Sequence, residues 1–327
     1  MSILISIIIP VFNVERYLAT CLDSIIQQSA IDIEVIIAND GSNDNSGYIA
    51  DRYTQQYDFI KVIQQSNQGV SAARNRAIQE ATGKYLVFLD SDDVLYKGFF
   101  QKILDLIKIQ PDIIEINADL IDEAGTVLYK KVFLLGNTTT SLNNTDIAKL
   151  RLHKQAKYYL FSRIIRRELV EDLRFNERIG FCEDALYLTE CYFRAAKIIT
   201  VDQSLYGYRQ HATNATKVDA SGNIDQLTDL AKIIKHKTIA STDTSYKSYY
   251  LSLLVNMVHL RKSMYAIENR RLACDDISLN NINFIKKFSQ EACFDKGNSV
   301  SWIRQFSILA PKASNLLILV RIFLKKS

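Results

Sequence analysis

Apolar positions along the first hundred residues switch between two periods. Residues 3–9 form a continuous, largely β-branched run, and Tyr17, Leu18, Cys21, Leu22, Ile25 and Ile26 then recur at helical spacing, with Asn13 placed as an N-cap. The alternation continues with strands over 33–38, 59–63 and 85–89 and helices over 43–57 and 69–82, and Gly83 sits where a C-terminal cap belongs. Strands that are near-continuous apolar runs separated by helices predict a parallel sheet covered on both faces, so the fold class is α/β.

Past Pro111 the pattern weakens. Strands are expected over 112–117, 127–135 and 204–209, with a turn at 123–125 and a strong helix over 181–196. Residues 212–224, "ATNATKVDASGNI", read as a linker, and 225–270 is helical in character.

In parallel sheets ligands bind beyond the carboxyl ends of the strands. Three polar clusters fall at that edge: "PVFN" at 10–13, "NDGS" at 39–42 and "DSDD" at 90–93. No GxGxxG follows the first strand and no GxxxxGK[ST] occurs, which removes the usual dinucleotide and P-loop signatures. Within "DSDD", Asp90 and Asp92 stand at i and i+2, where two carboxylates can point at one hard cation such as Mg²⁺ or Mn²⁺. The competing reading is a solvated loop whose aspartates cap the helix near 97–110. The buried strand that aims this loop at the ligand edge favours the metal.

Two further stretches carry chemistry. In "GFCEDALYL", residues 180–188, Glu183 and Asp184 open a helix, where acids routinely complement the dipole. Helical geometry separates them: Asp184 shares a face with Leu188, Cys191 and Ala195, whereas Glu183 lies with Tyr187, Glu190 and Arg194. Asp184 is therefore the inward acid and the candidate general base. In "YGYRQHAT", residues 206–213, Arg209 and His211 face the same side of a strand end, as a site pair or as surface decoration. His153, His236 and His259 read as structural.

Composition adds mainly exclusions. The chain has 327 residues, 48% hydrophobic and 23% charged, and its net charge of +4 is too small to argue for nucleic acid. Five widely spaced cysteines with no CxxC pair indicate neither a zinc site nor a disulfide framework, and reduced thiols place the protein in the cytoplasm. The apolar start lacks a basic leader and a cleavage site, and no window supplies the roughly 20 apolar residues of a membrane span. From Lys296 to Ser327 there are six basic residues and no acidic one, interleaved with Trp302, Phe306 and other apolar side chains. Such a tail suits a peripheral position on an anionic membrane, or a final helix packed on the catalytic domain.

The ordered set "SIIIPVFNVERYL", "IEVIIANDGSNDNS", "NQGVSAARNRAI", "GKYLVFLDSDD", "CEDALYL" and "YGYRQHATNATK" resembles a family 2 glycosyltransferase of the GT-A fold over about residues 1–217. The resemblance implies a Rossmann-type catalytic domain over 1–217, with a nucleotide-sugar half at 1–93 and an acceptor half at 94–217, followed by a C-terminal helical region at 218–327. It implies transfer of one sugar, with inversion, from a UDP-linked hexose or N-acetylhexosamine to a glycan or lipid-linked glycan in polysaccharide, O-antigen or capsule synthesis at the inner-membrane surface. Pro10, Phe12 and Glu15 would surround the base and ribose, Asp40 would accept from the uracil imide, and Arg74 would approach the nucleotide. Asp90, Ser91 and Asp92 form the DxD motif, with Asp92 the direct ligand of Mn²⁺ or Mg²⁺, Asp90 its support and His211 near the metal or diphosphate. Asp184 matches the catalytic base. Asn39 departs from the pattern, which more often has Asp there, and the QxxRW motif of processive enzymes is absent. A sugar-phosphate nucleotidyltransferase would want a Gly/Arg-rich loop after the first strand, and a non-catalytic binding protein would not need Asp90, Asp92 and Asp184 together.

Overall fold

The computed structural model describes residues 3–28, 32–130, 140–142, 159–180 and 183–211, together with Ile233. Apart from Ile233, these belong to one compact unit, Met1–Ile147 with Lys157–Val218. The expected linker, the C-terminal helices, the basic tail and His153, His236 and His259 lie outside the described residues.

Four parallel strands build the first half: β1 (Ile5–Val11), β2 (Ile33–Asp40), β3 (Ile60–Gln65) and β4 (Tyr85–Phe88). They are connected through α1 (Leu18–Ile26), α2 (Ser46–Gln56) and α3 (Val70–Glu80). The second half contains β5 (Val94–Leu95), α4 (Phe99–Ile107), β6 (Ile113–Ile121), β7 (Val127–Tyr129), β8 (Thr140–Leu142), β9 (Arg163–Arg166), α5 (Glu183–Arg194) and β10 (Ile198–Arg209). All ten strands form one sheet in the order β3-β2-β1-β4-β9-β6-β10-β5, with β7 on β6 and β8 on β10.

Strand direction decides where the site is. β9 pairs antiparallel with both β4 and β6, and β6 is parallel to β10. Two reversals restore the original sense, so β6 and β10 run with β1–β4. Their carboxyl ends therefore share one edge, which brings the residues after β10 to the loop after β4.

The core explains the apolar runs. Ile5, Ile7, Ile8 and Ile9 of β1, Val35–Ile37 of β2 and Tyr85–Phe88 of β4 are all buried, as expected for strands covered on both faces. Two expected caps differ. Asn13 does not cap α1; it sits at φ +52°, its backbone N–H donates to Ser42 Oγ (3.1 Å), and its Oδ1 accepts from the Asn43 N–H (2.8 Å). It joins the loops after β1 and β2, a role its short amide allows in the left-handed region.

Gly83 lies beyond the end of α3, and what makes it glycine is space. A Cβ there would stand 2.6 Å from the Ser6 nitrogen and 2.6 Å from its Oγ. Gly83→Ala is expected to destabilise by about 1–3 kcal/mol through overpacking. An unchanged urea midpoint would exclude this close approach.

Among the described residues no helix is long and apolar enough to cross a membrane.

Candidate active site

The loop after β4 divides its carboxylates among different tasks. Asp93 is fully buried and accepts from the Tyr206 hydroxyl (2.6 Å) and the Arg209 N–H (2.7 Å). Burial pushes its carboxyl well up, repulsion from Asp92 and Asp90 adds to this, and the Arg209 and Tyr206 bonds oppose it. Asp93 is thus a strut between the loop and β10. None of the loop's aspartates caps α4, whose N-cap is Gly98 with no side-chain bond, so the capping alternative is overturned.

Asp92 keeps 19% of its side chain exposed, and its Oδ2 lies 2.7 Å from His211 Nε2. The two residues are 119 apart in sequence, and the shared sheet edge is what unites them. His211 stacks on Tyr17 with ring centroids 4.7 Å apart. Arg209 lies over the same ring at 5.4 Å and donates from Nε to the Asp92 carbonyl (2.7 Å), while its Nη1 reaches the Glu123 carbonyl (2.6 Å). Beside this stack is a cleft of about 350 Å³ walled by Arg16, Tyr17, Thr20 and the 123–125 turn.

Asp90 points elsewhere. Its Oδ1 accepts from Arg74 Nη2 (3.1 Å), and Arg74 Nη1 donates to Glu183 Oε1 (2.8 Å). Burial raises the Asp90 carboxyl, the Arg74 guanidinium opposes, and Asp92 raises it further. Burial alone would lower the Arg74 pKa, but Asp90 and Glu183 outweigh it and hold the guanidinium above its ordinary value. Glu183 is therefore not on a solvated polar face. Its side chain is 12% exposed, and Tyr187, one turn on, is buried and stacked on Phe175 at 3.9 Å.

Asp184 has no ion-pair partner among the described residues. Its Oδ1 accepts from the Ala185 N–H (2.7 Å), and its pKa is raised to about 8, first by burial and then by the Glu183 carboxylate, with Arg74 pulling the other way.

At the end of β2, Asp40 accepts from Gln65 Nε2 (2.7 Å), the Gln68 N–H (2.8 Å) and the Gly69 N–H (2.8 Å). It ties the end of β2 to the start of α3 and retains one free lone pair of about four. Glu15 Oε2 accepts from the Asn45 backbone (2.9 Å) and side chain (2.7 Å). Asn39, the departure from the usual acid, donates to Gln64 Oε1 (2.7 Å) and accepts from the Ser42 N–H (3.2 Å), a pairing that suits an amide with both a donor and an acceptor. Phe12 is 43% exposed beside Pro10 at the end of β1, and Ser91 is buried in the loop.

The candidate residues thus fall into two groups on one edge: Asp40, Glu15, Phe12 and Pro10 around the ends of β1 and β2, and Asp90, Asp92, His211, Arg74 and Asp184 around the end of β4. Tyr17 and the bridging part of Arg74 had no local signal. Tyr17 keeps the helical period like any core residue, and its ring partner is at the far end of β10.

The model for glycosyl transferase family 2 matches residues 6–174, more than half of the chain. The chain belongs to glycosyltransferase family 2. This family 2 chain is 32% identical over 235 residues to the Bacillus subtilis glycosyltransferase EpsJ, covering 68% of the chain and 66% of EpsJ. It is 31% identical to Escherichia coli YibD, covering 67% of the chain and 65% of that protein. The chain thus spans slightly less than two thirds of either relative. Staphylococcus aureus TarS, solved in complex with UDP-GlcNAc, superposes with a TM-score of 0.70 at 21% identity, over 88% of this chain and 81% of the TarS fragment, which shows the GT-A-type fold.

Proposed function

We propose that this family 2 protein is an inverting, metal-dependent glycosyltransferase that moves one sugar from a UDP-linked hexose or N-acetylhexosamine to a glycan or lipid-linked glycan acceptor. One observation carries the reading: a single sheet edge gathers a carboxylate–imidazole pair, Asp92 and His211, and an unpaired acid, Asp184, with its pKa lifted to about 8. Those are the two functions such a transfer needs: charge neutralisation on the leaving diphosphate and a base for the acceptor hydroxyl. TarS, which shares the fold, has been solved with UDP-GlcNAc, and the relative GgaB of Bacillus subtilis is a minor teichoic acid biosynthesis protein. The first supports a nucleotide-sugar donor and the second a surface-polymer acceptor. In this reading residues 1–217 are the catalytic domain and 218–327 a separate region that meets the membrane or a partner.

Among the described residues no cluster of three His, Cys, Asp or Glu side chains is close enough to enclose a cation. Two donors still fit Mn²⁺ or Mg²⁺, which accept oxygen ligands from phosphates and rarely need a full protein cage. Asp92 and His211 would hold the ion, which when bound supplies positive charge beside the diphosphate. Asp90, already engaged by Arg74, supports the loop and the ribose. Asp184 accepts the acceptor's hydroxyl proton, the acceptor oxygen bonds to the anomeric carbon from the face opposite the diphosphate, and the sugar–phosphate bond breaks with its electron pair going to the diphosphate. One displacement inverts the configuration. Pro10 and Phe12 face the base, and Asp40's remaining lone pair suits the uracil imide.

The test is acceptor-dependent UDP release with Mn²⁺. Asp92→Ala and His211→Ala should each raise the Mn²⁺ concentration for half-activation by about 10–100-fold, the size of effect seen when a metal site loses a supporting group. Wild-type Mn²⁺ dependence in both variants would remove the metal assignment.

A further inference from the structure

Three carboxylates, Asp90, Glu183 and Asp184, converge on one buried cation, and that cation is divided between two of them. Arg74 is 7% exposed, and its two terminal nitrogens go to different elements, Nη2 to Asp90 after β4 and Nη1 to Glu183 at the first position of α5. Its Nε makes no hydrogen bond, and the guanidinium lies 5.5 Å over the Phe175 ring, which also stacks on Tyr187 of α5. A guanidinium in this position faces the protein rather than a ligand.

We propose that Arg74 is the positioning residue of the base: by bridging Glu183 and Asp90 it fixes the first turn of α5 against the end of β4 and leaves Asp184 as the unpaired acid of the set. The proposal rests on the reading of Asp184 as base. It replaces the expected approach of Arg74 to the nucleotide with an internal task. The physics is that of a fork with two rigid donors. Breaking the Glu183 arm leaves a carboxylate only 12% exposed without its counter-charge, and α5 must then shift to hydrate it. Since Asp184 follows Glu183 directly, it moves with that turn. A displacement of about 1 Å at a reacting group can cost about 10²-fold in rate.

Steady-state kinetics of the full chain with UDP-sugar, acceptor and Mn²⁺, together with UDP binding by calorimetry, test this. Arg74→Gln should lower kcat by about 10²-fold with donor KM and UDP affinity unchanged. Glu183→Gln, which takes the charge out of the same tie while leaving the guanidinium in place, should also lower kcat and leave KM alone. Arg74→Lys keeps the charge but not the fork, and should fall between wild type and Arg74→Gln.

A second readout separates positioning from loss of structure. The charges that weigh most on Asp184 are Glu183 on its own helix, Arg74 on α3 and Asp90 after β4. Arg74→Gln should move the acid limb of kcat/KM to higher pH, Glu183→Gln should move it to lower pH, and Arg74→Lys should keep it in place. A purely structural effect would move none of them. If Arg74→Gln does not fold, Glu183→Gln and Arg74→Lys still decide. Arg74→Gln that raised donor KM and weakened UDP binding at constant kcat would overturn the proposal in favour of a nucleotide contact, as would full kcat in Glu183→Gln. Asp184→Asn reports on the base separately: retained turnover there sinks the base reading, whereas a dead Asp184→Asn beside fully active Arg74 and Glu183 variants sinks only the positioning.

Discussion

Asp184→Asn is expected to lower kcat by about 10²–10⁴-fold, the usual contribution of a positioned general base, with UDP binding preserved. The substitution is nearly isosteric, and the amide Oδ1 can still accept from the Ala185 N–H, so the helix start survives. What is lost is an oxygen able to take a proton. The wild-type pH profile carries the same information. Burial first, and then Glu183, raise the Asp184 pKa to about 8, and the base works only when ionised, so kcat/KM of the wild type should climb with pH and level off above about 8. That limb should vanish from the residual activity of Asp184→Asn.

Stability runs the opposite way. An acid whose pKa is raised on folding binds its proton more tightly in the folded state, so between the ordinary value of 3.8 and about 8 it costs the fold progressively more as pH rises. Neutral Asn removes that cost. The variant should therefore be at least as stable as wild type at pH 8 while nearly inactive. A variant that is both unstable and inactive would point to a structural acid instead.

The first half of the molecule is legible because its interactions are local. The runs 3–9, 33–38 and 85–89 are apolar but for Ser6 and Glu34, and each becomes a strand flanked by helices at short range. The second half resists for a physical reason. β9 is four residues, "RIIR", with arginines at both ends, and nothing in its period announces a strand buried between β4 and β6. Its pairing is written in Glu115 of β6, which lies opposite Arg163. β10 is similar: only its last residues carry a strand signal, because register shifts between Val201 and Ser204 and between Ser204 and Tyr206 interrupt the alternation. The site divides along the same line. "DSDD" and "CEDALYL" announce acids, but which acid is spent on structure depends on partners far away. Asp93 goes to Tyr206 and Arg209, and Asp90 and Glu183 go to Arg74, which leaves Asp92 and Asp184 as the acids that the proposed transfer uses.

The largest stability effect should come from that same β9. Arg163 and Glu115 are 2% and 1% exposed, with Arg163 Nε 3.3 Å from Glu115 Oε1 and 2.7 Å from the Tyr192 hydroxyl, which itself donates to Glu115. Thr200 of β10 donates to the other Glu115 oxygen (3.2 Å). Arg163→Met should cost about 3–5 kcal/mol in urea unfolding, because it takes the buried guanidinium away from the buried Glu115 carboxylate. Arg163→Met combined with Glu115→Leu should recover most of that loss, since exchanging a whole buried ion pair for apolar groups is often neutral or better. The recovery is the decisive part. If the double variant is as unstable as the single, the network's value lies in its hydrogen bonds and shape rather than in charge compensation. Activity should follow the same order at temperatures where the single variant is partly unfolded. β9 is the strand whose two antiparallel pairings turn β6 and β10 to run with β4, and the meeting of His211 with Asp92 depends on that direction.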